Sequence, residues 1–218
     1  MLPTPLINRL DVQDVDPPAI DEWADWMTRT YGDDGWDKRC LAFLKRFEDE
    51  NYLIKVPRVT ETLDPYPTPR TWTALATLMA KGIQDKETIR GLIGYEVGTK
   101  FDAFLKVRVD INELINNPES FHELEFDAKY MVSVMLASWI SQHIKNAAKT
   151  FPLIDEMSKE KRERLICYIL AREFLVLTCM SISRKNLVQF LRQLFTYNPM
   201  YKDVLSEIAI GLKEQITV

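Results

Sequence analysis

The sequence predicts an all-α protein, a multi-helix bundle with a short N-terminal strand-like segment. Apolar residues recur at helical spacing along most of the chain, β-patterned runs are scarce, and only seven glycines occur in 218 residues. Hydrophobic residues make up 46% of the chain and charged residues 28%, which is typical of a globular protein rather than a disordered one. The length suits one large domain or two small ones.

The first helix is expected over residues 16–31, with Asp16 as its cap and the two following prolines in its first turn. A second helix, about 36–50, carries an apolar face that includes Cys40 and Phe43. Residues 51–69 contain four prolines and are expected to form a loop.

A third helix is expected to begin at Thr68 and Pro69, because a capping threonine followed by proline is a helix-start signal, and to stop at Gly82. A fourth helix is predicted over 85–106 and carries three glycines, Gly91, Gly94 and Gly98. Glycines on one helical stripe favour a close crossing with another backbone. A phosphate-binding loop is the alternative, although the order G-x-x-G-x-x-x-G, with no preceding strand, fits neither glycine fingerprint.

The second half of the chain is predicted to be helical as well. Residues 107–126 form a connection with a short helix at 110–116, and four longer helices follow, about 127–147, 158–180, 183–195 and 199–215. A domain boundary is placed near 84, or alternatively near 108, although we expect the helices to pack as one continuous body.

Charge and cysteine usage narrow the class of protein. The net charge of −4 and the sequence pI of about 5.4 make a dedicated nucleic-acid binder unlikely, since that function needs a basic surface. No signal peptide and no apolar run of membrane-spanning length is recognised. Cys40, Cys167 and Cys179 lie among apolar residues, so we expect buried thiols rather than a disulfide, in a cytoplasmic protein without membrane partners.

A complete catalytic or metal-binding constellation is not found. His122 and His143 have no metal-ligand spacing and are interpreted as surface histidines. The acidic runs at 33–34 and 48–50 are interpreted as solvated turns and helix ends. The four tryptophans of the amphipathic helices are expected to pack in the core: Trp23, Trp26, Trp72 and Trp139.

Two arginines are candidates for anion binding. Arg9 lies between an apolar stub and the strand-like run 10–15, and Arg70 is the second residue of the helix that begins at Pro69. An arginine in the first turn opposes the helix dipole. It is compatible with a bound anion that faces both the guanidinium and the helix N-terminus, or with pairing to a nearby carboxylate.

These arginines lie in motifs that resemble a known family. PLINRL, the strand-like run, a helix containing EW, and PYPTPRTW together resemble the C-terminal part of MoxR-like AAA+ ATPases, over about residues 2–106. IGYEVGTKFDAFL resembles the glycine-bearing helix that follows in some relatives. The resemblance implies that residues 1–15 end an ATPase core, that 16–84 form a helical lid, and that 85–218 are a helical extension.

The resemblance also implies roles for the two arginines. Arg9 falls on the arginine-finger position, which reaches the γ-phosphate held by a neighbouring subunit, and Arg70 on the second-sensor position, which contacts the nucleotide of its own subunit. Leu10 replaces the family's usual phenylalanine. These 218 residues contain no G-x-x-x-x-G-K-[ST] loop and no strand ending in Asp-Glu, so ATP and Mg²⁺ would bind only through a core outside them.

The expected function is therefore that of a lid and helical region of an AAA+ ATPase. The resemblance implies a ring of ATPase subunits, a hexamer, that acts on a protein client. In this expectation the chain is a C-terminal portion, a split-gene product or a remnant. The alternative is a stand-alone helical protein-interaction module without nucleotide.

Overall fold

The computed structural model describes residues 16–56, 64–117, 120–146, 172–183, 186–188 and 190. Within these ranges every regular element is helical and no strand occurs, so the all-α prediction is confirmed. The α-helices are α1 Ile20–Tyr31, α2 Arg39–Arg46, α3 Pro69–Ala80, α4 Lys86–Ile93, α5 Tyr95–Leu105, α6 Ile111–Asn116, α7 Ser120–Glu123, α8 Phe126–Asn146 and α9 Arg172–Met180. A 3₁₀ turn, Glu48–Glu50, follows α2.

Several predictions lie outside the described residues. They are the strand-like run 10–15, Arg9, the helix at 199–215, and the parts of the 158–180 and 183–195 helices before 172 and after 190.

Helix α1 begins later than predicted. Asp16 does not cap it, and the two prolines precede the helix instead of forming its first turn. The N-cap is Ala19, whose N–H donates to the Glu22 carboxylate at 2.9 Å. Glu22 therefore takes the place of a capping side chain, and as an acidic group in the first turn it also favours the helix dipole.

Helix α3 begins and ends as its local signals predict. Thr68 caps it, Pro69 is its first residue, and Gly82 follows the last turn with a φ of +87°. A positive φ is readily adopted by glycine, which explains why the helix stops there.

The single helix predicted over 85–106 is wrong, because the chain breaks at Gly94 into α4 and α5. Gly94 has a φ of +84° and serves both as the C-cap of α4 and as the N-cap of α5. The close backbone approach predicted for the glycines is confirmed at two of them. A Cβ at Gly98 would come within 3.0 Å of the Arg90 Cα, and one at Gly94 would come within 2.5 Å of the Pro65 carbonyl oxygen, whereas Gly91 has open space.

The buried residues form two clusters. The first is built mainly by α1 to α5, and Phe43 of α2 lies at its centre with four aromatic rings at centroid distances of 5.1–5.8 Å: Tyr52, Trp72, Phe101 and Phe104. Such ring pairs add to the area-based stabilisation of the core. The second cluster joins α6, α7, α8 and α9 with Leu187 and Phe190.

The first cluster also contains Met131 and Val134 of α8 and Leu177 of α9. The helices after residue 108 therefore pack against the first helices, and the described residues form the continuous body that the sequence predicted. The first cluster includes residues on both sides of position 84, while the transition between clusters falls near 108.

Of the tryptophans, Trp23 and Trp72 are buried as predicted, and Trp139 is half-buried. Trp26 is wrongly predicted, because it lies on the outer face of α1 with 44% of its surface exposed and packs edge-on against Tyr31. The spacing of apolar residues in α1 does not predict the exposure of Trp26, because residues at the edge of a broad apolar face still contact water.

Candidate functional site

The N-terminus of α3 is the first candidate site. The Thr68 hydroxyl accepts the Thr71 N–H at 3.2 Å, and the Thr71 hydroxyl accepts the Thr68 N–H at 2.8 Å. This reciprocal capping satisfies two backbone donors at the helix start, and Pro69 has no N–H to satisfy. The first turn contains no acidic residue, so its partial positive charge is not compensated from within the helix.

Arg70 lies in this first turn, and its side chain is exposed. Among the described residues, no side chain or carbonyl forms a hydrogen bond or ion pair with its guanidinium. The alternative interpretation, pairing with a nearby carboxylate, therefore has no support in the described part of the chain. A cation and a helix N-terminus that face the same solvent form a site suited to an anion.

Two neighbouring segments hold the start of α3 in place. The buried Trp72 indole N–H donates to the Tyr52 carbonyl at 2.7 Å, and the Lys55 N–H donates to the Pro67 carbonyl at 3.3 Å. On the other side, the Gly94 backbone packs against Pro65. The position of Arg70 is thus fixed by the buried tryptophan two residues along the helix.

Tyr52 also contacts two lysine side chains near the start of α3. Its ring is buried, its hydroxyl bonds to the Lys100 ammonium, and the Lys55 ammonium lies 4.8 Å from its ring centroid. The hydrogen bond with Tyr52 raises the pKa of Lys100. Lys55 also pairs with Glu96 at 3.0 Å. These two lysines therefore have partners, in contrast to Arg70.

Two exposed tyrosines lie at the point where the Gly94 backbone approaches the segment that leads into α3. Tyr66 precedes the PTPR motif and is 41% exposed, and Tyr95, which follows Gly94, is 72% exposed. The Arg90 guanidinium lies 4.3 Å from the Tyr95 ring centroid. The sequence does not predict this pair of exposed tyrosines. The tyrosine of YPTPR, Tyr66, is a local signal, but Tyr95 comes near it only because the chain turns at Gly94.

A cleft of about 710 Å³ is the second candidate site. It lies between the turn 33–39, the end of α3, the connection 105–109 and α8. Its lining is partly apolar and partly charged. The apolar lining residues are Met79, Leu105, Val107, Val109, Met131, Val134 and Met135, and the charged ones are Asp33, Asp34, Asp37, Lys38, Arg39 and Arg108.

Two of the three basic lining residues bond to protein groups. Arg39 donates from Nε to Oδ1 of Asp37 at 3.0 Å and from Nη2 to Oδ2 at 2.6 Å, and this hydrogen bonding raises the pKa of Arg39. The buried Lys38 donates to the Asp33 carbonyl at 3.0 Å and lies over the Trp36 ring. The volume suits a small ligand or a side chain of a partner.

The histidines, acidic runs and cysteines singled out in the sequence do not form a further candidate site among the described residues. His122 is exposed in α7, as predicted, while the side chain of His143 lies outside the described residues. The acidic 3₁₀ turn is exposed, but Asp33 is half-buried and hydrogen-bonded, so its interpretation as a solvated turn residue is wrong. Cys40 and Cys179 are free and buried as predicted, and Cys167 lies outside the described residues.

Neither a metal site nor a membrane span is found in the described part of the chain. No group of three or more histidine, cysteine or acidic side chains comes together there, and none of its helices is both long and apolar enough to cross a bilayer.

No protein-family model, curated protein or solved structure matches the chain.

Proposed function

We propose that residues 16–84 act as the helical lid of a MoxR-like AAA+ ATPase, with 85–218 as its helical extension, and that Arg70 contacts the phosphates of ATP bound to the adjoining core. The proposal starts from the motifs PLINRL and PYPTPRTW and their order in the sequence. The observation that carries it is the exposed Arg70 in an uncompensated first turn, with no partner among the described residues.

The physical role of Arg70 follows from its chemistry. A guanidinium stays charged at all physiological pH values and presents a fork of donors that matches two phosphate oxygens. Because α3 is fixed through Trp72 and Tyr52, an anion drawn to Arg70 would pull on the whole helical body rather than on one flexible side chain. Binding of ATP would therefore change the angle of the lid relative to the core.

Arg9 takes the complementary role in this proposal. It would act in trans, reaching the γ-phosphate held by the neighbouring subunit and stabilising the charge that develops during transfer. Such a role needs a ring of ATPase subunits, for which a hexamer is proposed, with a core that supplies the phosphate loop and the Mg²⁺ ligands. The proposed substrate of the ring is a protein client.

The first test is the coding DNA upstream of Met1. An open frame that encodes a G-x-x-x-x-G-K-[ST] loop and a strand ending in Asp-Glu, or a separate chain that supplies both and assembles with this one, is expected. If this chain neither continues into such a core nor associates with one, the proposal is wrong.

The second test is ATP hydrolysis by the assembled protein. Arg70→Ala should lower turnover by at least about tenfold, and Arg70→Lys should restore only part of it, because an ammonium lacks the forked geometry. Lys81→Ala is the matched control, since Lys81 is an exposed cation at the opposite end of α3. Near-normal turnover in both Arg70→Ala and Arg9→Ala would contradict the proposal.

Mixing experiments separate the two arginines. Arg9→Ala subunits added to normal ones should reduce turnover more than in proportion to their number, because each deprives a neighbour of its finger. Arg70→Ala subunits should lose only their own activity. A proportional loss for both variants would contradict the trans role of Arg9.

A second function, a protein-interaction module without nucleotide, is favoured by the cleft between α3 and α8, whose apolar lining residues suit a partner's side chains. A stand-alone module should be a well-behaved monomer or dimer with one cooperative melt. A lid removed from its core should instead aggregate through the strand-like run 6–15, which carries apolar residues at alternate and neighbouring positions.

A further inference from the structure

The turn between α1 and α2 is joined to a segment 150 residues further along the chain. One carboxylate oxygen of Asp33 accepts the Ser183 N–H at 2.6 Å, and the other accepts from the Asn186 side-chain amide at 2.9 Å. The residues that follow, 186–188 and 190, are helical, and the Leu187 N–H bonds to the Ser183 carbonyl at 2.7 Å. Asp33 thus caps this helical segment from another part of the molecule.

The turn that presents Asp33 is rigid for identifiable reasons. The Lys38 ammonium, itself buried, donates to the Asp33 carbonyl and lies 3.8 Å from the Trp36 ring centroid. The Asp37 N–H donates to the Ala76 carbonyl of α3 at 3.0 Å. The turn that carries the Asp33 carboxylate is therefore anchored to α3, the helix that carries Arg70 near its N-terminus.

We infer that Asp33 is a clasp that holds the segment beginning at Ser183, which follows α9, to the turn between α1 and α2. Two other contacts join helices that pack beside each other. Arg46 of α2 lies 2.5 Å from Asp127 of α8, and the Thr178 hydroxyl of α9 donates to the Ser133 carbonyl of α8 at 3.2 Å. Asp33 differs from these contacts because it reaches past α8 and α9 to the segment that begins at Ser183.

The clasp itself does not depend on nucleotide. One consequence rests on the proposed function: if the first helices are a lid, a change in lid angle is carried through α3, the turn and Asp33 to the segment that begins at Ser183. This segment would then be the moving part that a client meets.

Hydrogen exchange of the full 218-residue chain tests the clasp without nucleotide. Hydrogen bonds to a charged group contribute enough that Asp33→Ala should speed exchange of the 181–188 amides by at least about tenfold, while α3 is unchanged. Asp49→Ala is the control, because Asp49 is an exposed carboxylate in the 3₁₀ turn after α2. Exchange within about twofold of the parent chain in Asp33→Ala would overturn the inference.

Two milder variants keep the test decisive if Asp33→Ala does not fold. Asp33→Asn keeps an acceptor for Ser183 but removes the negative charge from both bonds, and Asn186→Ala removes the second bond entirely. Each should speed exchange of 181–188 several-fold, and their combination should speed it by less than the product of the two single effects. Unchanged exchange in both, or effects that simply multiply, would overturn the clasp, while the ATP hydrolysis tests above would be unaffected.

Discussion

Gly98 of α5 lies against the backbone of Arg90 of α4. A Cβ on residue 98 would come within 3.0 Å of both Cα and Cγ of Arg90 and within 3.3 Å of its backbone nitrogen. This approach is possible because the chain reverses at Gly94, so that two helices which follow each other in sequence also pack side by side. The turn at Gly94 itself packs against Pro65, in the segment that leads into α3.

Gly98→Ala should destabilise the protein. The added methyl group meets backbone atoms that cannot move as a flexible side chain would, and overpacking of this kind costs about 1–3 kcal/mol, partly offset by the better helix propensity of alanine. The free energy of unfolding in urea should fall by about 1–2 kcal/mol.

Gly91→Ala is the matched control for this contact. Gly91 also lies within a helix, but a Cβ there would meet no atom within 4 Å, and its φ is not positive. Alanine should therefore raise the stability by about 0.5–1 kcal/mol through helix propensity alone. If both substitutions shift the urea midpoint in the same direction, the proposed crossing contact is wrong.

Gly94→Ala should be the most damaging of the three glycine substitutions. Its φ of +84° with a ψ of 165° lies in a region that is almost restricted to glycine, and a Cβ would also stand 2.5 Å from the Pro65 carbonyl oxygen. A loss of about 3 kcal/mol or more is expected, measured by urea unfolding. A loss smaller than that of Gly98→Ala would contradict the reversal at this residue.

The sequence predicts those features that depend on neighbouring residues. Thr68, Pro69 and Gly82 define α3 because a cap, a proline at the first position and a terminal glycine act locally. The break at Gly94 was missed for the opposite reason. A helix-period pattern continues through it, and the turn is fixed by packing against Pro65, which lies about thirty residues earlier.

The same distinction applies to the candidate site. The unfavourable placement of Arg70 is visible in the sequence, because the dipole rule concerns one helix. The bracing of α3 through Tyr52 and Trp72, and the pairing of Asp33 with Ser183, depend on contacts between distant segments. No local pattern marks these residues, so a composition-based interpretation assigned Asp33 to solvent.

The cap of α4 should weaken in acid. Asp85 accepts the Thr88 N–H at 2.8 Å and the Thr88 hydroxyl at 2.8 Å, and these bonds lower the pKa of Asp85 below its usual 3.8. A carboxylate with a lowered folded pKa stabilises the helix above the unfolded pKa, and this contribution is lost as the pH falls through the folded pKa. An NMR titration of the Asp85 carboxyl should give a midpoint below 3.8. A midpoint at or above 3.8 would contradict the cap, and a midpoint unchanged in Thr88→Val would contradict the contribution of the Thr88 hydroxyl.

The two buried thiols should be unreactive in the folded protein. Burial raises the pKa of Cys179 to about 12 and that of Cys40 well above its ordinary value of 9.0. At pH 8 a thiol with a pKa near 12 has roughly a thousandfold fewer thiolates than an ordinary cysteine. In a chain with Cys167→Ser, an aromatic disulfide reagent should therefore label neither thiol until urea unfolds the protein. Rapid labelling in native buffer would contradict their burial.

Arg70→Ala and Thr68→Ala should differ in their effect on stability, although the two residues share one helix start. Thr68→Ala removes the cap of α3 and should cost about 1 kcal/mol, while Thr68→Ser should retain most of it. Arg70→Ala should leave the stability unchanged or raise it by about 0.3–0.5 kcal/mol, because it removes a cation that opposes the helix dipole and has no partner among the described residues. Urea unfolding at low and high salt measures both, and any gain from Arg70→Ala should shrink with salt. A clear loss of stability in Arg70→Ala would show that the guanidinium has a structural partner, and the anion-binding role would then lose its main support.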